Sequence, residues 1–207
     1  MSLYGRVFAS LYDRLMAGTE KAGLGDRRHD VLAEARGRVI EVGAGTGVNL
    51  SHYPDAIDDL VLTEPEEPMA KRLDEKLRAS GRPGRVVRAP GESLPFPDDS
   101  FDTAVTTLAL CTVGDPDATL AELRRVLRPG GRLLFVEHVR SAEPGLARWQ
   151  DRLVPVWQRI GHGCHPNRPT AELIRRAGFV VEELDEGTLP KAPPIVRPLI
   201  AGRAVAP

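Results

Sequence analysis

Cysteine, lysine and long apolar runs are all scarce in this chain, and each scarcity removes a class of function. Cys111 and Cys164 are the only cysteines, too few for a disulfide framework. No stretch is long and apolar enough to span a bilayer. The N-terminus lacks the apolar core and small-residue cleavage site of a signal peptide. A reducing, cytoplasmic location is therefore the expectation. Lysine occurs only at Lys21, Lys71, Lys76 and Lys191, and a net charge of −1 gives no bulk attraction to nucleic acid. Internal repeats and low-complexity tracts are missing too. What is left is a chain of 207 residues, 42% hydrophobic and 28% charged, with room for one α/β domain over residues 1–207.

The chain is organised around Val39-Ile40-Glu41-Val42-Gly43-Ala44-Gly45-Thr46-Gly47. The β-branched run reads as a buried strand, ended by three glycines at alternating positions. Without a Cβ the backbone can turn sharply and let a ligand approach its main chain. From Gly47 to Tyr53 a helix is expected to start, with its N-terminal amides facing the same ligand. The dinucleotide fingerprint G-x-G-x-x-G counted from Gly43 would need glycine at 48, where Val48 stands. That mismatch disfavours a nicotinamide-dependent oxidoreductase, as does the absence of a Tyr-x-x-x-Lys pair.

Strands and helices alternate along the rest of the chain, which predicts a mostly parallel sheet buried on both faces. Residues 1–36 read as N-terminal helices. The first carries Leu3, Tyr4, Val7, Phe8, Leu11, Tyr12 and Leu15 on one broad apolar face. Packing on the domain is preferred for it over a lid or a membrane-surface contact, because its polar face holds Arg6, Asp13 and Arg14 without a basic cluster. Gly18 to Gly25 should break it before a second helix over Asp26 to Ala35. Leu60–Thr63 reads as strand two, ending at Glu64-Pro65, where a carboxylate can accept both ribose hydroxyl hydrogens. A helix over 66–79, a strand over 85–88 and a proline-rich loop follow, then a strand over 101–107. Pro116, N-capped by Asp115, starts a helix to Leu127 that Pro129-Gly130-Gly131 should stop before a strand over 132–137. A helical insertion over 144–168 follows, with its helix from Pro144 to Ile160. Thr170 to Ala177 is the last helix, and 179–184 and 198–206 are the last strands.

Taken in order, the glycine turn, Glu64, Gly91-Glu92-Ser93-Leu94-Pro95-Phe96 and Val126-Leu127-Arg128-Pro129-Gly130-Gly131 resemble the class I S-adenosylmethionine (SAM)-dependent methyltransferases. The resemblance covers about Leu32 to Val139. It implies a Rossmann-like α/β fold: a seven-stranded, mostly parallel sheet with helices on both faces, an antiparallel last hairpin, and SAM across the carboxyl ends of the central strands. It also implies cofactor contacts from Glu41, Gly43, Ala44, Gly45 and Asn49, from Glu64 and Pro65, from Gly91, Glu92 and Ser93, and from Thr107 and Leu108. Glu41 is expected to organise the glycine turn or to meet the amino-acid end of SAM. A narrower match resembles the methyltransferase-like thiol S-methyltransferases. It rests on Gly47-Val48-Asn49, Tyr53-Pro54, Leu108 to Val113, Glu137-His138-Val139, Trp149-Gln150, Pro155-x-Trp157, Gly163-Cys164 and Arg168. Two departures from that family bear on substrate and location: no apolar N-terminal anchor is read here, and His165 stands where a second cysteine is usual.

The implied activity is methyl transfer to a small apolar acceptor, thiols ahead of quinols, phospholipid amines and natural-product nucleophiles. A non-catalytic SAM-binding regulator is the alternative of a different class. A thiol reacts as thiolate, within reach near neutral pH with modest help. His138, at the tip of strand five, leads the candidates for that help, with His162 and His165 behind it. Trp149 and Trp157 read as packing residues, and Cys164 as a pocket-wall or core thiol. No metal is expected: adjacent side chains at 164 and 165 rarely converge on one ion, and nothing in the sequence brings Cys111 near them.

Overall fold

A computed structural model describes Arg14, residues 16–189 and residues 191–207. The amphipathic helix expected over Leu3 to Leu15 lies outside the described residues, apart from helical Arg14. Seven strands form one sheet: β1 (Gly37–Val42), β2 (Ile57–Thr63), β3 (Gly84–Val87), β4 (Phe101–Thr107), β5 (Leu127–His138), β6 (Val180–Thr188) and β7 (Pro198–Val205). Their order is β3-β2-β1-β4-β5-β7-β6. β1 lies inside the sheet, third from the β3 edge, with Ile40 opposite Val61 of β2 and Ala104 of β4, both parallel. Only β7 runs against its neighbours, β5 and β6. This is the Rossmann-like α/β arrangement with an antiparallel last hairpin.

The helices are α1 (Gly25–Leu32), α2 (Glu67–Ser80), α3 (Pro116–Val126), α4 (Pro144–Ile160) and α5 (Thr170–Arg176). Alternation along the strands divides their side chains between two cores. Ile40, Ala104, Leu133 and Phe135 meet α3 and α5 through Leu120, Leu123, Leu173 and Ile174. Val39, Leu62, Val105 and Leu134 meet α1 and α2 through Leu32, Leu73 and Leu77. Both faces of the central strands are thus dry, as a parallel sheet requires, while β6 and β3 at the edges stay exposed or half-buried.

The expected break between Gly18 and Gly25 is present as a kink at Gly23, whose φ of 127° leaves helical values just before α1. Two local expectations differ from the structure. Beyond Gly47 there is a single 3₁₀ turn, Val48–Ser51, in place of a longer helix. The side chains of Asn49 and Tyr53 turn inward to a buried carboxylate there, and Pro54 follows. Pro129-Gly130-Gly131 does not separate helix from strand, because β5 begins at Leu127. Gly130 N–H donates to Ala206 O at 2.7 Å, and Ala206 N–H to Gly131 O at 2.9 Å. The turn is absorbed into pairing with the C-terminus.

α4 belongs to the segment inserted between β5 and α5, and Gln150 fastens it. Its Nε2 donates to Val139 O, Pro166 O and Ile195 O at 3.1, 2.9 and 2.9 Å, and its Oε1 accepts from Ser141 N–H at 2.8 Å. The side chain is fully buried, with its two N–H hydrogens shared among three carbonyls, so buried polar groups would be stranded without it. Gln150→Leu keeps the volume and removes the polar atoms. It should lower unfolding stability in denaturant titration by about 2–4 kcal/mol. A loss under about 0.5 kcal/mol, typical of surface changes, would show that α4 is held by apolar packing alone.

Candidate active site

The carboxyl ends of the parallel strands open into a cleft of about 900 Å³, at the upper end of the usual range for small-molecule sites. That volume holds a nucleoside-sized cofactor together with a small second ligand. Its floor is the glycine turn. Gly43 and Gly45 have φ of +69° and +57°, left-handed values that favour glycine. A Cβ at Gly43 would sit 2.9 Å from that of Ala109, whereas one at Gly45 would meet nothing within 4 Å. The face of Gly45 is therefore open backbone, as a main-chain cradle requires.

Glu64, at the end of β2, is buried beside the turn. Its Oε2 accepts from Gly45 N–H and its Oε1 from Glu66 N–H, both at 2.9 Å. A carboxylate offers about four acceptor sites, so two bonds fix its plane and leave capacity toward the cleft. Burial pushes this carboxyl up, against the pull of the Glu66 and Gly45 amides.

Behind the turn lies a second polar group that faces inward. Glu41 accepts from Asn49 Nδ2 and Tyr53 Oη, each at 2.7 Å. Asn49 Nδ2 also donates to Thr107 Oγ1 at 2.8 Å, and Arg28 Nη1 donates to Asn49 Oδ1 at 2.9 Å and Thr107 Oγ1 at 2.6 Å. Arg28 Nε reaches Glu20 at 3.2 Å. This network joins α1, β1, the 3₁₀ turn and β4 with all its members covered. Asn49 and Thr107, expected at the cofactor, spend their polar atoms here and do not line the cleft. Glu41 spends its oxygens on Asn49 and Tyr53 behind the turn and does not line the cleft.

The opposite wall is built by loops after β4, β5 and α4. Leu108, at φ +54°, turns the chain out of β4. The fully buried Glu137 carboxylate accepts from Ala109 and Leu110 N–H at 3.1 and 3.0 Å, and from Cys111 N–H at 3.4 Å. Arg168 grips the same loop by donating to Leu110 O and, at 2.8 Å, to Val113 O. Cys111 and Cys164 are thereby brought to His138, with sulfurs 3.8 and 3.7 Å from its Nδ1. The two thiols titrate as a pair. Cys111 Sγ donates to Leu108 O at 3.4 Å; the neighbouring Cys164 thiol, with burial, holds Cys111 well above the ordinary thiol range, while Cys111 draws Cys164 down against burial. His162 Nε2 lies 2.6 Å from Glu66 Oε1 across the cleft.

Of the expected site residues, Gly43, Gly45, Glu64, Pro65, Gly91, Glu92 and Leu108 line this cleft together with His138 and His162. Glu41, Ala44, Asn49, Ser93, Thr107 and His165 do not. Ser93 points to solvent, and the His165 ring stacks its nitrogens about Gln158 Nε2 at 2.9 and 3.0 Å. Gly91 is glycine because a Cβ would meet Thr119 and Val42 at 2.8 and 2.9 Å, not because its backbone is exposed. Trp157 lines the cleft, but Trp149 is 56% exposed and is no packing residue. Sequence reasoning gave no role to Arg28, Glu137 or Gln150. Apart from its place in the family match, the signal for Glu137 was its position at the end of a buried strand, the place that drew notice to Glu64.

Burial raises the Glu41 carboxyl above its ordinary 4.5, against hydrogen bonds from Tyr53 and Asn49 and the charge of Arg28. Between 4.5 and its folded value, the folded chain keeps a proton that the unfolded chain has released. Stability from this group is therefore full below 4.5, the unfolded value, and lost as pH rises from there through the folded value. In thermal melts from about pH 4 to 7, the parent should lose ground steadily to Glu41→Gln, whatever constant offset the amide adds. Parallel Tm curves would mean that Glu41 titrates alike in both states.

A methyltransferase-domain family model matches residues 40–135. Human thiol S-methyltransferase TMT1B is 37% identical over 180 residues, covering 84% of this chain and 73% of that protein. Human thiol S-methyltransferase TMT1A is 32% identical over 203 residues, covering 96% and 82%. A SAM-dependent methyltransferase of Thermotoga maritima superposes with a TM-score of 0.70 at 24% sequence identity, over 98% of each chain; that likeness speaks for the fold. The glycine turn, the acid held beside it and the matched relatives agree: this chain belongs to the SAM-dependent methyltransferase family that includes the thiol S-methyltransferases.

Proposed function

We propose that this methyltransferase takes small apolar thiols as acceptors. The observation that carries the reading is the far wall of the cleft, where Cys111, His138 and Cys164 meet between apolar surfaces, in a chain whose relatives over most of its length are thiol S-methyltransferases. When bound, SAM supplies a methyl group on a sulfonium, already activated for in-line displacement. The chain has to hold two ligands in line and exclude water. Glu64, fixed by two backbone amides, holds the ribose hydroxyls, and the open backbone of Gly45 lets the cofactor lie close. Pro65, Gly91, Glu92 and Leu108 complete that half of the cleft. The acceptor enters on the side of Trp157 and His138, where it displaces water from apolar walls.

A reducing compartment such as the cytoplasm suits this chemistry and the two free thiols. Among the described residues, no helix is long and apolar enough to cross a membrane.

The deciding experiment follows S-adenosylhomocysteine formation with an alkyl thiol, a phenol, an amine and a quinol at equal concentrations. Turnover should be fastest with the thiol, and turnover of the quinol or amine with none of the thiol would sink this reading. The cofactor half has its own test. In Glu64→Gln an amide N–H₂ replaces an acceptor, facing either Gly45 N–H or Glu66 N–H and offering the ribose one acceptor fewer. Charge-assisted hydrogen bonds contribute roughly 1.5–3 kcal/mol, so calorimetry should show SAM binding weakened about ten- to a hundred-fold. An unchanged Kd would leave Glu64 as a brace for the turn and nothing more.

A further inference from the structure

Cys111 and Cys164 come from two separate loops and His138 from the end of β5, yet their donor atoms all lie within 4.8 Å of one another and all three side chains are buried. Two thiols and an imidazole are the donor set that borderline-soft d¹⁰ cations prefer, zinc above all. The spacing fits as well. With Zn–S about 2.3 Å and Zn–N about 2.0–2.1 Å, a tetrahedral ion holds sulfur and nitrogen about 3.5 Å apart. The two sulfurs lie 3.8 and 3.7 Å from His138 Nδ1. The sulfurs lie within 4.8 Å of each other, where a tetrahedral ion would hold them about 3.8 Å apart, so side-chain rotations would close the site.

That backbone is already fixed: Glu137 binds the amides of the Cys111 loop, Arg168 its carbonyls, and His165 N–H donates to Cys111 O at 2.7 Å, joining it to the Cys164 loop. Two thiolates and a neutral imidazole also cancel the charge of a divalent ion, which removes the main cost of burying it. All three residues face the cleft, so a fourth ligand would come from there. Three protein ligands with an open position are the pattern of catalytic zinc, whereas structural zinc is closed by four.

We infer that Cys111, His138 and Cys164 form a zinc site whose open position takes the sulfur of the acceptor. The second half of this inference rests on the thiol reading given above. The acceptor thiol loses its proton to solvent on binding the ion. Its sulfur then forms the new bond to the methyl group as the methyl–sulfonium bond of SAM breaks, leaving a thioether and S-adenosylhomocysteine. His138 is then a ligand and not a base, which revises the expectation of a metal-free site. His138 Nε2 is buried without a hydrogen-bond partner. Ligating imidazoles normally have such a partner, and its loss costs 10- to 100-fold in affinity, so the ion should be removable by chelator.

The test uses the full chain. Purified without chelator, it should carry on the order of one zinc per chain. After stripping, it should take up one equivalent of cobalt(II), with thiolate-to-cobalt charge transfer and tetrahedral d–d bands. Cys111→Ser and Cys164→Ser, checked for folding by circular dichroism, should each weaken cobalt binding at least about ten-fold and halve the charge-transfer intensity. His29→Ala, at an exposed imidazole, should change neither. An alkyl thiol added to the cobalt form should shift the d–d bands; no shift overturns the open position. Absence of thiolate charge transfer in the parent overturns the site, and so does a Cys111–Cys164 disulfide in freshly purified protein. A chain that binds cobalt in this way but methylates only quinols keeps the site and loses the thiol reading. A chain that methylates thiols with no metal in any preparation loses the site and keeps that reading.

Discussion

Buried carboxylates at the carboxyl ends of strands hold the shape of this cleft, and the rest of the site depends on them. Glu64 accepts the amides of Gly45 and Glu66, and Glu137 accepts those of Ala109, Leu110 and Cys111. Glu41 does the same work through Asn49 and Tyr53. A loop leaving a parallel strand turns away from the sheet with its N–H groups unpaired, and leaving them buried and unmet would cost about 1–3 kcal/mol each. One carboxylate satisfies two or three donors at once and sets the direction of the loop by doing so. The cost is burial of an acid, visible in the upward shift of all three.

This device explains why the cleft can be open and still well defined. Its backbone surfaces at Gly45 and Leu108 sit in left-handed conformations that a loosely held loop would relax. The cofactor half is braced from behind by Glu41 and Arg28, so the polar groups that look available in sequence are consumed in holding the turn. On the proposed reading, contact with the cofactor falls to Glu64 and to main chain. An acid beside a glycine turn is for this reason a better guide to the ligand than an asparagine or threonine nearby.

Much of the fold was legible because it depends on local pattern. β4 and α4 start and end where hydrophobic period and proline placement put them. The seven-strand order needed the family resemblance, since nothing local says that β7 inserts between β5 and β6. The misplaced boundary at Pro129-Gly130-Gly131 has a tertiary cause, its pairing with Ala206. The same holds for the site. Gly43, Gly45 and Glu64 are close in chain and recognisable by spacing. Cys111 and Cys164 stand 27 and 26 residues from His138, and only the loop geometry imposed by Glu137 and Arg168 brings the three together.

The two halves of the cleft are therefore built on different terms. The cofactor half hangs on β1 and β2, where sheet register and glycine conformation leave little freedom. The acceptor half hangs on an inserted helix and three loops, tied to the sheet by Gln150, Glu137 and Arg168 through hydrogen bonds to backbone. Such ties fix where the loops run without dictating which side chains they present. If the acceptor binds where proposed, replacing Trp157, His162 or Cys111 would change what it meets while Gln150 and Arg168 still bound the same carbonyls. A fold of this kind can keep one methyl donor and exchange acceptors, because the contacts that hold the acceptor wall are not the contacts that choose the acceptor.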